Sequence, residues 1–93
     1  MGRFSVLAEV SGLPGVADPE GQAIERALPA LGFSAVSSLH VGKAFRFAVE
    51  AADAEEAQGL AEALCAKLLA NPVIERYRVS LEPEGGPDGE GGR

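Results

Sequence analysis

Residues 64–77, LCAKLLANPVIERY, constrain the fold of this chain more than any other stretch. A Leu-rich helical pattern ends at Ala70, and Asn71-Pro72 then stops it, because Asn tolerates the left-handed conformation that closes a helix and Pro cannot continue one. The residue before a Pro also disfavours helical angles. Val73 and Ile74 follow at once. The pattern therefore predicts a long helix joined to a strand by a short corner.

The rest of the chain alternates between strand and helix patterns. Apolar residues at every second position, or runs between turn residues, predict four strands at residues 3–10, 33–41, 43–50 and 73–81, with Gly42 at a reversal between the second and third. Helical spacing predicts two helices at residues 19–31 and 53–70. Asp18-Pro19 and Asp53 are suitable N-terminal caps, Gly32 is a suitable stop, and Pro29 predicts an irregular last turn.

The second helix carries the clearest apolar stripe of the chain. Its members are Ala57, Leu60, Ala61, Leu64, Cys65 and Leu68. We expect this stripe to face the core, with each buried leucine contributing about 1.5–3 kcal/mol.

The element order predicts an α+β fold of the ferredoxin-like type, β-α-β-β-α-β, with a four-stranded antiparallel sheet and two helices on one face. Residues 1–82 form a single domain in this interpretation. Residues 83–93 are rich in Gly and Pro, carry a net acidic charge, lack large apolar side chains, and are predicted to be a disordered tail. The second face of the sheet is predicted to be covered by another copy of the chain.

Composition excludes several classes of function. The net charge is −6, the basic residues are scattered, and aromatic residues make up 5%, which argues against nucleic-acid binding. The single cysteine, Cys65, forms no internal disulfide, and no apolar run reaches membrane-spanning length. We expect no signal peptide. We expect a cytoplasmic protein without a membrane partner.

No residue pattern predicts an active site. His40 is the only histidine, so a zinc site lacks ligands, and a surface or interface position is expected for it. Cys65 lies on the core stripe, where cysteine is usually an inert small residue. Asp18 with Glu20 is explained by helix capping, and Gly42-Lys43 lacks the glycine-rich run of a phosphate-binding loop.

This reasoning leaves open the function of two sets of charged residues. Glu55, Glu56 and Glu62 lie outside the apolar stripe and are explained by solvent exposure, although a partner could contact them. Arg46, Arg76 and Arg78 alternate along their strands, and would form a basic patch for an acidic partner if the third and fourth predicted strands are neighbours in space.

Four motifs occur in one order: GV-x-DP-x-G from Gly15, AL-x-x-LGF from Ala27, GK at Gly42, and C-x-KLLANPVIE-x-Y from Cys65. With them the chain resembles, over residues 6–81, the PurS family, the small subunit of phosphoribosylformylglycinamidine (FGAM) synthase. Relatives commonly have Arg at position 40, an acidic or amide residue at position 46 and an acidic residue at position 76. They mostly lack the Gly-rich tail.

The resemblance implies an adaptor subunit in purine biosynthesis without catalytic residues of its own. Its partners would be a glutaminase, PurQ, which releases ammonia, and an ATP-dependent synthetase, PurL, which uses it. The chain would form a homodimer or tetramer and support ammonia transfer. It would bind no cofactor or metal itself, whereas the complex uses ATP, Mg²⁺ and glutamine.

Two rivals have the same element order. An ACT-like module would bind amino acids at a dimer interface, and an acylphosphatase-like enzyme would need an Arg in the loop after the first strand, where residues 11–16 have none. Within the adaptor interpretation, we expect Gly42, Lys43, Asn71 and Pro72 to contact a partner or another copy, because both pairs are predicted turns outside the core.

Overall fold

The computed structural model of the chain describes residues 2–83. In chain order its elements are β1 (Gly2–Gly12), α1 (Pro19–Ala27), β2 (Gly42–Ala51), α2 (Ala54–Leu64) and β3 (Glu75–Pro83). A 3-10 turn at Pro29–Leu31 follows α1, and a π-helical turn at Cys65–Leu69 follows α2. Of the predicted tail, only Pro83 is among the described residues.

The three strands form one antiparallel sheet with β1 in the middle, in the order β2-β1-β3. Val6 lies opposite Phe47 on one side and Leu81 on the other. Val6, Ala8 and Val10 are buried, as the alternation of the first strand predicted. Phe45, Phe47, Val49, Tyr77, Val79 and Leu81 lie on the same face by register, so the sheet has one apolar face.

Helix α2 covers this apolar face and packs against all three strands. The buried positions of the helical segment are its small residues, Ala57, Ala61 and Cys65, which are spaced four residues apart. Leu60 is 48% exposed and Leu68 is 74% exposed, so the prediction that they are core residues was wrong. The residues along the centre of the stripe have small side chains, which lets the helix lie close to the sheet. Leu60 and Leu68 lie beside this central line.

The ends of α2 follow the capping rules. Asp53 accepts a hydrogen bond from Glu56 N at 2.9 Å, and the Glu56 carboxylate accepts one from Ala52 N at 2.6 Å. At the other end, the Asn71 side chain accepts a bond from Val73 N at 3.1 Å. The predicted corner is confirmed, but Val73 and Ile74 lie in the turn, and β3 begins only at Glu75.

Helix α1 also begins and ends for local reasons. The Asp18 side chain accepts a hydrogen bond from Gly21 N, and Pro19 occupies the first turn. Pro29 has no N–H to continue the ladder, so the α-helix ends at Ala27 and a 3-10 turn follows. Gly32 closes the segment at a φ of 94°, which favours glycine.

Residues 33–41 do not form the predicted second strand. The amides of Ser38, Leu39 and Val41 donate to carboxylates of the α1 segment instead of to a neighbouring strand. The described sheet therefore has three strands, and α1 does not pack on it as α2 does. The α+β class is confirmed, whereas the four-stranded ferredoxin-like arrangement with two helices on one face is not.

Candidate functional site

The predicted contact residues come together at one end of the sheet. Ser11 lies between Gly42 of β2 and Arg76 of β3, and Leu13 N donates to Ile74 O at 2.9 Å. The start of β2 and the Asn71-Pro72 corner thus lie on either side of β1. We call this region, formed by residues 11–18, 40–43 and 71–76, the loop end of the sheet.

Gly42 and Lys43 do not form the predicted hairpin reversal but begin β2. A Cβ at Gly42 would lie 2.7 Å from the Val10 carbonyl oxygen, so glycine is needed for the close approach of two strands. Lys43 is exposed and lies opposite Val10 in the register. The GK motif therefore has a structural explanation in Gly42, while Lys43 stays available to a partner.

Asp18 ties the start of α1 to the start of β2. Its Oδ1 accepts a hydrogen bond from Gly21 N at 3.0 Å, and its Oδ2 accepts one from Val41 N at 2.9 Å. These two amides, Val41 first, hold the pKa of Asp18 below its ordinary value. A Cβ at Gly21 would collide with this carboxylate, which explains the glycine of the DP-x-G motif.

Glu25 forms a second tie that the sequence analysis missed. Its two carboxylate oxygens accept hydrogen bonds from Ser38 N and Leu39 N, both at 3.1 Å. The only signal in the sequence is that Glu25 follows Asp18 by seven residues, which places both on one side of the helical segment. We call Asp18 and Glu25 the carboxylate clamp, because together they hold residues 38–41 against α1.

An open cleft of about 550 Å³ lies at the loop end, lined by residues 11–18, 40–41 and 74–76. His40 is exposed, with its Nδ1 3.4 Å from Asp18 Oδ2. Within residues 2–83, no group of three or more potential metal ligands is found, and no helix is long and apolar enough to cross a membrane. The cleft carries one histidine beside a capping carboxylate, which does not define a reaction.

Cys65 begins the π-helical turn after α2, is buried, and does not line this cleft. Burial, with a smaller contribution from the charge of Glu62, raises the pKa of its thiol. A protonated, enclosed thiol is a poor nucleophile. The structure therefore places Cys65 in the core, as its position on the apolar stripe predicted.

The α1 segment exposes a set of large apolar side chains. Leu31 is 68% exposed and Phe33 is 54% exposed. Ile24 and Val36, at 42% and 44%, extend the same chain segment. A contiguous stretch of chain with this many exposed apolar residues is typical of a surface that binds protein.

The three arginines singled out in the sequence lie on the face of the sheet opposite α2. Arg46 is opposite Leu7, Arg78 is opposite Glu9 and Arg76 is opposite Ser11. All three side chains are exposed. Strands β2 and β3 are not neighbours, so the condition set for the predicted basic patch is not met. Only β1 separates them, and the three arginines lie on one face of the sheet across it.

Comparison with known proteins identifies the family. The family model for PurS, phosphoribosylformylglycinamidine (FGAM) synthase, matches residues 5–83. FGAM synthase subunit PurS of Archaeoglobus fulgidus is 49% identical over 65 residues, covering 70% of this chain and 81% of the relative. PurS of Bacillus subtilis is 35% identical over 79 residues, covering 85% and 93%.

Solved structures agree with the sequence comparison. A chain in the structure of PurLQS from Thermotoga maritima superposes with a TM-score of 0.81 at 35% identity, covering 88% of this chain and 100% of that chain. This chain therefore belongs to the PurS family of phosphoribosylformylglycinamidine synthase subunits.

Proposed function

We propose that this chain is the non-catalytic adaptor subunit of FGAM synthase, and that it assembles the PurQ glutaminase and PurL synthetase in purine biosynthesis. The observation that carries the proposal is the match to a chain of the Thermotoga maritima PurLQS structure, which is complete over that chain. This match does not favour the ACT-like alternative.

The proposal gives the adaptor a chemical purpose. PurQ would release ammonia from glutamine, and PurL would use it with ATP and Mg²⁺, while this chain itself binds no cofactor. Ammonia that escapes into water is diluted and protonated, so transfer needs the two active sites to be held together. A cytoplasmic location completes the proposal, since a single buried thiol suits a reducing compartment.

Self-association is part of the proposed adaptor. The exposed apolar residues of the α1 segment, above all Leu31 and Phe33, are not covered by the sheet of their own chain. A second copy of the chain is the proposed cover, which gives a homodimer or a tetramer. Exchange of Phe33 for Ser should weaken self-association while the secondary structure of the chain is retained.

Contacts at the loop end remain a proposal for Gly42, Lys43, Asn71 and Pro72. Their support is that they gather at the loop end of the sheet, with Lys43 and the Asn71-Pro72 corner exposed. Lys43→Glu tests this idea, with Lys67→Glu on the exposed surface of the second helical segment as the matched control. Equal complex formation by both variants would remove the start of β2 from the interface.

Assembly is measured directly by mass photometry or analytical ultracentrifugation of purified PurL and PurQ from the same organism, with and without this chain. The proposal predicts a particle containing all three proteins, formed with glutamine and nucleotide present. If PurL and PurQ associate equally well without the chain, or never bind it, the adaptor function is wrong.

A further inference from the structure

The outer face of the sheet, opposite α2, has an unusual composition at the loop end. On β1 it carries Leu7, Glu9 and Ser11. The facing residues on the two flanking strands are Arg46, Ala44 and Gly42 on β2, and Ser80, Arg78 and Arg76 on β3. Small residues therefore surround three long cationic side chains, with half-buried Leu7 as the apolar centre.

The charge of this surface runs against that of the whole chain. The chain has a net charge of −6, whereas this part of the face holds three arginines and one carboxylate, Glu9. Among residues 2–83, no carboxylate lies within 4.0 Å of a charged nitrogen of Arg46, Arg76 or Arg78. Within the described part of the chain, these guanidinium groups keep their bidentate hydrogen-bonding capacity for a partner.

We propose that this surface, which we call the arginine face (Leu7, Arg46, Arg76 and Arg78), docks an acidic surface of one partner subunit of the synthase. The inference rests on the proposed adaptor function and adds to it the contacting surface and its chemistry. Arg is enriched at the energetic centres of protein interfaces, and complementary charge raises association rates and fixes orientation.

The spacing of the arginines favours a protein surface over a single phosphate. Strands lie about 4.8 Å apart, and Arg46 pairs with Leu7 whereas Arg78 pairs with Glu9. The backbones of Arg46 and Arg78 are therefore offset by about 10 Å across the sheet and about 7 Å along it, or about 12 Å in all. Arg76 follows two residues from Arg78, about 7 Å along the strand. An array of this width matches several carboxylates on a protein surface better than one phosphate group.

A second copy of the chain is a poorer occupant of the arginine face. A two-fold contact places the same patch of each copy against the other, so arginines would meet arginines. Like charges in close contact are unfavourable. The exposed apolar residues of the α1 segment offer another copy a neutral surface instead.

The test compares two multiple variants of the full chain. Arg46→Gln, Arg76→Gln and Arg78→Gln together remove the charge of the arginine face. The control, Arg26→Gln with Lys67→Gln, removes two exposed charges that lie outside both the arginine face and the proposed loop-end contacts. Dissociation constants for purified PurL and for PurQ are measured at low and high salt, with thermal melts and oligomeric state as controls for folding.

The proposal predicts that the arginine-face variant binds one of the two subunits about tenfold or more weakly at low salt, with a smaller salt dependence than the parent chain. The control variant should bind that subunit more tightly than the arginine-face variant does. Equal binding by all three chains would overturn the proposal while leaving the adaptor function intact. Loss of self-association in the arginine-face variant would overturn it too, because the face would then join copies of the chain. Failure of the parent chain to bind either subunit refutes the adaptor function itself.

Discussion

Exchange of Ala61 for Leu examines how closely α2 lies on the sheet. Ala61 is fully buried, at the centre of the line formed with Ala57 and Cys65. Across from α2, Val6, Ala8 and Val10 are equally enclosed. A leucine at position 61 therefore has to displace either the helix or the strand residues beneath it.

Two opposing effects determine how Ala61→Leu changes the free energy of unfolding. Three added carbons would contribute about 2 kcal/mol or more of favourable burial if space existed for them. Without space, overpacking costs about 1–3 kcal/mol net, through shifted backbone and strained rotamers. Since Ala61 has no exposed surface and its helical neighbours in the core are also small, we expect overpacking to dominate.

The matched control is Ala63→Leu, the same exchange two positions later on the same helix. Ala63 is exposed, and Ala and Leu both favour helix, so its effect on the free energy of unfolding should stay within about 0.5 kcal/mol. Urea or thermal unfolding measures the stability change of both variants. The protein concentration is kept fixed, because self-association would make the unfolding midpoint depend on concentration.

The expected result is a loss of about 1–3 kcal/mol for Ala61→Leu, which corresponds to about 4–8 °C in Tm for each kcal/mol in a domain of this size. The reasoning would be refuted if Ala61→Leu matched Ala63→Leu or raised the stability. Either outcome would mean that the helix stands far enough from the sheet to admit a large side chain.

Three further predictions concern single residues. Gly59 lies within α2 with open space around its Cβ position, so Gly59→Ala should stabilise the chain by about 0.5–1 kcal/mol, and a lower unfolding midpoint would contradict this. The pKa of Asp18 is lowered in the folded chain, so its contribution to stability is present above its ordinary value of 3.8 and is lost as the pH falls through the lower folded value. Asp18→Asn should therefore show a smaller fall in Tm on acidification from about pH 5 to about pH 3 than the parent chain, and identical falls would refute the role of this carboxylate. Cys65 should react with Ellman's reagent far more slowly in the folded chain than in denaturant, because burial raises its pKa and blocks access; equal rates would place the thiol at the surface.

Local signals predicted the parts of the fold that depend on neighbouring residues. Asp18 and Asp53 cap their helices, Pro29 ends α1 in a 3-10 turn, and Asn71-Pro72 makes the corner before β3. Each depends on hydrogen bonds or steric limits within a few residues. Such signals can be interpreted from the chain without knowing what lies opposite in space.

Residues 33–41 show where that approach failed. Their run of small, polar and apolar residues is compatible with a strand, but the amides of Ser38 and Leu39 are taken by Glu25, more than ten residues earlier. Long-range competition of a side chain for backbone amides leaves no periodic signal in the sequence. The apolar spacing of α1 likewise predicted that the helix has an apolar side. It could not show that the sheet of the same chain leaves this side uncovered.

The site was predictable only in part, for the same reason. Lys43 and the Asn71-Pro72 corner were selected as presumed turns, yet what brings them together is the register of Ser11 with Gly42 and Arg76. The basic patch was predicted on the condition that β2 and β3 are neighbours, and the position of β1 between them does not meet that condition. The three arginines share one face of the sheet across β1 instead. Relations between strands distant in sequence require the folded structure.

The adaptor function is tested most directly by ADP production in a mixture of PurL and PurQ from the same organism, with FGAM precursor and ATP, measured with and without this chain. Glutamine and ammonium chloride are supplied in separate reactions. The account predicts that glutamine-dependent ADP production requires the chain, whereas ammonia-dependent production by PurL depends on it much less. Equal glutamine-dependent rates in the presence and absence of the chain would contradict the coupling function.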